Sequence, residues 1–270
     1  MRSLEIAPAH HEEYDFFLDL IKNRSSIRSL KPDPIPDGYV EKVIEAGRWA
    51  MSGANSQPWE FIIVRDPATK KAIADAYREV NIEFIYWMEQ QRLPELRHPS
   101  FHLKDYSEDP RKQLEHVKSR TRWEEAPALI VVIGDGRRQW GTVQGAHTFG
   151  LGQTHLTDGL ANCCQIMHLA AASLGLGTQW ITVHIQDPYK RILDIPDTYI
   201  VYLIIPIGWP AVAPKKGVRR ELEEMVHYDR YDRSKYIGHE DILQYLAGLR
   251  GKTLEKYRVS YGEKSMPEQS

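Results

Sequence analysis

The run Ala128-Leu129-Ile130-Val131-Val132-Ile133 constrains the fold of this chain more than any other stretch. Its six apolar residues, rich in β-branched side chains, have neither the period of an amphipathic helix nor the alternation of a half-exposed strand. They describe a strand buried on both faces, which needs a packed layer on each side of its sheet. The chain supplies suitable helices. Asp158 to Leu174 carries Leu160, Cys163, Cys164, Met167, Ala170, Ala171 and Leu174 at helical spacing and ends in Gly175-Leu176-Gly177. His10 to Lys22 places Phe16, Phe17, Leu20 and Ile21 on one stripe. Asp37 reads as the N-cap of a helix bearing Val40, Val43, Ile44, Gly47 and Ala50. A long helix is expected from Ala68 past Met88, and a short one after Asp187-Pro188. Trp59 to Val64, Thr178 to His184 and Tyr199 to Ile207 read as further strands. The expected class is α+β, a central mixed sheet with helices on both faces.

Composition excludes several functions. A net charge of −2 offers no electrostatic footprint for nucleic acid. The longest apolar run, Tyr199 to Ile207, is too short to span a bilayer and contains Pro206, so no membrane partner is expected. The N-terminus turns acidic at Glu12, Glu13 and Asp15 without the apolar core of a secretory signal. The two cysteines, Cys163 and Cys164, are neighbours in an apolar helical pattern and read as small buried residues, which points to a reducing cytoplasm. Gly134-Asp135-Gly136 opens like a dinucleotide fingerprint, but Gln139 stands at the third glycine and no amphipathic helix follows. His98 and His102 have a metal-like spacing broken by Pro99, with no carboxylate beside them, so no metal site is expected.

Two regions resist a regular reading. From Pro94 to Arg122 the pattern dissolves among prolines, charges and aromatics; residues 83–122 read as a lid or as a solvated excursion. Beyond a short helical stretch after Glu221, a polar extension (228–270) follows the main domain (1–227). Its apolar periodicity is confined to Ile242 to Leu249, so it closes no core of its own and either wraps a partner subunit or frays.

Chemistry concentrates in two other stretches. Met51-Ser52-Gly53-Ala54-Asn55-Ser56-Gln57-Pro58-Trp59 joins a helix to a strand with small residues, amides and a proline. It presents bare backbone N–H groups beside a rigid elbow, which suits an anionic or hydrogen-bonding ligand; alone it is equally a plain turn. Upstream lies Asn23-Arg24-Ser25-Ser26-Ile27-Arg28. These two stretches, with Ala126-Pro127, Leu169-Ala170-Ala171 through Gly175-Leu176-Gly177-Thr178-Gln179-Trp180-Ile181, and Ile207-Gly208-Trp209-Pro210 followed by Arg219, resemble the ordered signatures of the nitroreductase-like flavoprotein family. The resemblance covers roughly Leu20 to Glu224.

It implies a homodimer with FMN bound in the subunit interface. Arg24, Ser26 and Arg28 would hold the phosphate and pyrimidine edge. Ser25 stands where many members carry a second basic residue, and Arg219 would share the phosphate. Ser52, Gly53 and Ala54 would approach the flavin from the partner subunit, with the Asn55 and Gln57 amides fixing the loop; Met51 replaces a frequent proline. Trp180, Ile181 and Thr182 fall where the family passes the flavin ring. Many nitroreductases have glycine at the place of Thr182, whereas a hydroxyl resembles the branch of iodotyrosine deiodinase and the flavin-cleaving enzyme of cobalamin biosynthesis. Such a donor at flavin N5 would favour one-electron steps; Thr182 is equally an ordinary strand former. In the lid, Glu83, Trp87 and Lys118 are the nearest match to the deiodinase residues that close over an amino-acid zwitterion, although Trp87 replaces a tyrosine. They are otherwise exposed side chains. Ala54 would also border the substrate.

The resemblance therefore implies an oxidoreductase in which NAD(P)H reduces FMN, and a planar nitroaromatic, quinone or halogenated phenol reoxidises it on the same ring face. Deiodinase-like dehalogenation or oxygen-dependent flavin chemistry is the alternative within enzymes. A non-catalytic flavin-binding interaction module is the alternative outside them.

Overall fold

The computed structural model describes residues 11–91, 122–138, 152–214 and 217–261, with the side chains of 81–91, 152–154, 253–254 and 256–261 outside the description. By contacts the chain divides into two units, Met1–Asn81 with Leu114–Lys216, and Ile82–Gln113 with Gly217–Ser270. The sequence reading drew its boundary at 227/228.

The first unit is built on a sheet of β1 (Trp59–Val64), β2 (Ala128–Asp135), β3 (Gly177–Thr178), β4 (Ile181–Thr182) and β5 (Tyr199–Gly208). The order is β1-β2-β5, with β3 and β4 both pairing the far side of β5. All eight residues of β2 are buried. Ala128, Ile130 and Val132 enter a core with Val40 and Val43 of α2 (Tyr39–Arg48) and Leu160, Cys163 and Met167 of α4 (Gly152–Ser173). Leu129, Val131 and Ile133 enter the opposite core with Ile73 and Ala74 of α3 (Pro67–Gln91), Tyr189 of α5 (Asp187–Leu193) and Trp123. The continuous apolar run thus has the two-sided burial expected of it. Every named ladder is antiparallel; among the described residues, parallel pairing is confined to the bridge Ser26–Thr178.

The edge strand departs from expectation. In place of one strand from Thr178 to His184 there are two short pieces interrupted by Gln179-Trp180, in one continuous register along β5. Thr178 lies opposite Ile207 and Thr182 opposite Leu203, both residues of the α4-side core, while Ile181 turns into the other core. On the inner side of β5 the pairs Val132–Leu203 and Ile133–Val201 leave Tyr202 as an extra residue. Gln186 stabilises this bulge by accepting a hydrogen bond from the Val201 N–H at 2.8 Å.

Asp37 does not cap α2. The helix begins after Gly38, whose φ of 78° lets the chain turn sharply, with the Tyr39 N–H bonded to the Pro36 carbonyl. A left-handed turn residue is cheapest as glycine, and it displaces the aspartate from the capping position. α1 (His11–Asn23) follows its expected span, and α4 begins earlier than expected.

In the second unit, α6 (Leu222–Met225) is tied to α7 (Ile242–Tyr261) by the Tyr245 hydroxyl, which donates to Glu224 at 2.6 Å. Lys235 donates to the carbonyls of Glu223 and Val226. The apolar periodicity expected over Ile242 to Leu249 thus opens a 20-residue helix, held at its start by polar contacts.

Close approaches fix the first unit. A methyl group on Gly208 would lie 2.7 Å from Cδ of Pro127, a rigid ring that cannot swing aside. Gly208→Ala should therefore destabilise the protein by about 1–3 kcal/mol, read as a lower urea midpoint. Gly248→Ala, where nothing lies within 4 Å, is the control and should be neutral or mildly stabilising. Equal midpoints for the two variants would contradict the close packing at Pro127.

Candidate functional site

The segment after α1 is laced onto the sheet edge. The Ile27 N–H donates to the Thr178 carbonyl at 2.9 Å, Lys31 N–H to the Trp209 carbonyl at 2.8 Å, and Ala211 N–H to the Ser29 carbonyl at 3.0 Å. Extended chain alternates its side chains. Ile27 is consequently buried between exposed Ser26 and Arg28; Leu30, three residues on, is buried as well. Arg24 and Ser25 line a cavity of about 130 Å³, with Leu20, Asn23, Gly177 and Thr178 among its other walls. Along the same edge Trp180 and Thr182 are exposed and Ile181 is buried.

His168 of α4 supports this edge from below. It is 3% exposed, and its Nδ1 lies 2.7 Å from Oγ1 of Thr178, itself 4% exposed. Its ring centroid is 5.8 Å from that of Trp180, which meets Tyr202 edge-on at 5.9 Å. Among the described residues Nε2 has no hydrogen-bond partner. Burial pushes the imidazole pKa down to about 4, helped by the charge of Arg24, so the ring is neutral at ordinary pH. The sequence reading passed over both His168 and Thr178. The available signal was a histidine on an otherwise apolar helix stripe, followed by a threonine after the helix-ending glycines.

The second group of expected residues lies in the loop between α2 and β1. Ala54, Asn55 and Gln57 all have positive φ, at 53°, 52° and 45°. Gln57 is the more unusual, because a residue before proline favours extended backbone. Each such residue costs about 1 kcal/mol or more and persists only where its surroundings enforce it. The enforcing contacts are visible: Oγ of Ser52 accepts from the Gln57 N–H at 3.0 Å, and the Asn55 and Ser56 N–H groups bond back to the carbonyls of Ser52 and Gly53. The Gln57 side-chain amide reaches the Asn55 carbonyl at 3.4 Å. Asn162 of α4 donates to the Met51 carbonyl at 3.3 Å, and Gly159 lets Ser52 approach so closely that an added methyl would lie 3.2 Å from its Cβ. Met51 itself is 80% exposed.

Within one chain these groups stay apart. Ser52 meets α4 at Gly159, whereas Thr178 meets it at His168, about 14 Å further along the helix axis. Arg219 belongs to the second unit, where its guanidinium turns back onto the Val218 carbonyl at 2.9 Å. Glu83 and Trp87 fall on α3 with their side chains outside the described residues, and Lys118 lies outside them altogether. The Gly134-Asp135-Gly136 turn is occupied internally, since Asp135 accepts from Arg137 Nε at 2.8 Å and Nη2 at 3.0 Å. Burial raises the Cys163 thiol to about 12 and Cys164 higher still, so both are inert packing residues.

The buried imidazole has a measurable signature. Above pH 6.5 His168 is neutral folded or unfolded; between pH 6.5 and about 4 only the unfolded chain takes the proton. Its share of stability is therefore complete above pH 6.5 and is lost as pH falls, by about 3 kcal/mol at most. The gap in unfolding free energy between the parent and His168→Leu should narrow by that amount from pH 7 to pH 4 in urea titrations. A gap independent of pH would show that the ring titrates normally.

With this geometry in place, likeness to known proteins becomes informative. Iodotyrosine deiodinase 1 of Rattus norvegicus is 26% identical over 204 residues, covering 72% of this chain and 62% of the deiodinase, so this chain spans less than two thirds of that relative. The NADH dehydrogenase of Thermus thermophilus is 25% identical over 213 residues, 75% of this chain and 91% of its own. The 5,6-dimethylbenzimidazole synthase of Rhodospirillum rubrum is 28% identical over 195 residues, 71% and 80% of the two chains. Among solved structures, oxidised iodotyrosine deiodinase bound to FMN and 3-iodo-L-tyrosine superposes with a TM-score of 0.60 at 21% identity, over 80% of this chain and 100% of that one. The BluB-like flavoprotein from Clostridium difficile 630 also reaches 0.60, at 20% identity over 79% and 98%. At these identities the structures speak for the fold alone. The nitroreductase family profile matches residues 21–209, a span that contains the laced edge, the left-handed loop and the whole sheet, and the chain therefore belongs to the nitroreductase family.

Proposed function

We propose that this chain is an FMN-dependent oxidoreductase that takes electrons from NAD(P)H and passes them to a small planar aromatic acceptor. The observation that carries the reading is the laced edge: Arg24, Ser26 and Arg28 on one segment, a cavity at Arg24 and Ser25, and exposed Trp180 and Thr182 alongside. Guanidinium forks and hydroxyls suit a phosphate ester, and an exposed aromatic edge suits a flat ring. The residues present thus fit FMN, which when bound supplies reversible transfer of a hydride or of single electrons.

The protein's own part is binding, orientation and water exclusion. Arg24, Ser25, Ser26 and Arg28 hold the phosphate end, joined by Arg219. Trp180, Ile181 and Thr182 border the ring. Met51, Ser52, Gly53, Asn55 and Gln57 complete the site from a second copy of the chain, and Ala54, Glu83, Trp87 and Lys118 are assigned to the acceptor on the family resemblance alone. The 14 Å or so between the edge and the loop along α4 supports a site shared between two chains. So does α1, which buries none of its residues in the single chain and exposes Tyr14, Phe16 and Phe17, an apolar face suited to a second copy. Donor and acceptor would share one face, so no separate dinucleotide fold would be needed. The enzyme is proposed to work in the cytoplasm without nucleic acid or membrane; among the described residues no helix is long and apolar enough to cross a bilayer.

The purified protein should be yellow, and heat-released flavin should run as FMN. Anaerobic NADH or NADPH should bleach it, and a nitroaromatic or quinone should restore the colour. Arg28→Ala should weaken FMN binding by about 1.5–3 kcal/mol without unfolding the protein. A colourless protein that ignores added FMN would overturn the reading. Tight FMN binding that neither nucleotide can reduce would leave a flavin-binding interaction module.

A second reading, reductive removal of halogen from an aromatic substrate, is favoured by one residue. Thr182 presents a hydroxyl on the exposed edge; as a hydrogen-bond donor to a bound flavin it would make single-electron uptake easier. Thr182→Ala should then lower the first one-electron potential relative to the second in a potentiometric titration. Unchanged potentials would leave two-electron reductase chemistry as the account.

A further inference from the structure

We propose that His168 is a positioning residue that turns the Thr178 hydroxyl proton into the Arg24–Ser25 cavity, making Thr178 a donor to the phosphate of the cofactor. The inference rests on the flavin reading above and adds two residues to it.

The argument is one of proton placement. His168 and Thr178 form a buried pair at 2.7 Å, and only one of them can donate to the other. If Thr178 donates to Nδ1, the neutral ring carries its proton on Nε2, a buried atom with no partner among the described residues. An orphaned N–H of that kind forfeits its hydration with nothing in exchange. If Nδ1–H donates, Nε2 keeps only a lone pair, and under-satisfied acceptors are tolerated better than orphaned donors. The second arrangement is favoured, and it leaves the Thr178 proton free to point away from the ring.

The space available to that proton is the cavity. Thr178 lines it together with Arg24, Ser25 and Asn23. The Thr178 carbonyl already accepts the Ile27 N–H, so the residue is fixed along its backbone and its side chain is aimed by His168. A neutral hydroxyl donor beside a guanidinium suits one oxygen of a phosphate ester. Neutrality of the ring matters too. A protonated His168 would set a second positive charge near Arg24, and burial with the Arg24 charge keeps the ring uncharged.

The test compares FMN with riboflavin, which lacks the phosphate, by equilibrium titration of the flavin-free protein. The parent should prefer FMN. Thr178→Val and His168→Leu should each reduce that preference by about tenfold or more, the scale of one hydrogen bond to a charged group. The double variant should lose no more than either single one, because both remove the same bond. His168→Asn, whose amide can donate from near the position of Nδ1, should restore most of the preference. Riboflavin affinity should stay level throughout, which a general loosening of the fold would not allow. A parent without preference for FMN would overturn the phosphate reading of the whole edge. A parent with the preference, and variants that keep it or lose FMN and riboflavin together, would overturn the role of His168 and Thr178 alone.

Discussion

The main-chain hydrogen bonds between residues 27–31 and the sheet edge are the joint on which the molecule depends. They are short-range in space and very long-range in sequence: Ile27 meets Thr178, and Lys31 meets Trp209. Such contacts close large loops, so they form only once the sheet itself is in register. Packing reinforces them. Gly177 lies so close beneath the laced segment that a methyl there would stand 2.9 Å from Leu30 and 3.0 Å from Ile27. Trp209 donates its indole N–H to the Pro34 carbonyl at 3.1 Å, which holds the proline-rich stretch beyond. The stretches at 27–34, 177–178 and 208–211, far apart in sequence, therefore meet at one seam.

A buried amine anchors another of those stretches. Lys70 of α3 is almost wholly buried, and its Nζ donates to the Ala126 carbonyl at 2.6 Å. Burial pushes its pKa down, opposed only by nearby Asp66. The long alkyl stem serves the core while the ammonium satisfies a carbonyl at the entrance to β2. The Ala126-Pro127 stretch is thus pinned from α3 on one side and pressed against Gly208 on the other.

How much of this the sequence displays depends on the range of the force involved. The doubly buried β2 and the stripes of α2 and α4 are legible because periodicity records burial directly. Arg24, Ser26 and Arg28 are legible through their motif, and the alternation that exposes the last two agrees with extended backbone. Asp37 misleads because local capping preference is outweighed by a left-handed turn one residue later. The break at Gln179-Trp180 is invisible because both residues are compatible with a strand. His168 escapes notice because its partner is ten residues away across a helix end, and its chemistry lies in the pairing. The left-handed backbone at Ala54 and Gln57 escapes for a similar reason, since neither residue type asks for it.

That loop also sets what sequence change the molecule can absorb. At Ala54, Asn55 and Gln57 the backbone admits glycine or asparagine freely and resists valine, isoleucine or threonine, whatever side chain a new ligand would want. The neighbouring rim is under no such rule. Trp49 is 75% exposed, with its indole held by Glu45 and covered by Arg48, and Met51, 80% exposed, gives its carbonyl to Asn162. Diversification of this surface is therefore channelled: the loop is a fixed frame with a restricted alphabet, and the exposed aromatic and thioether at its border are the positions free to change.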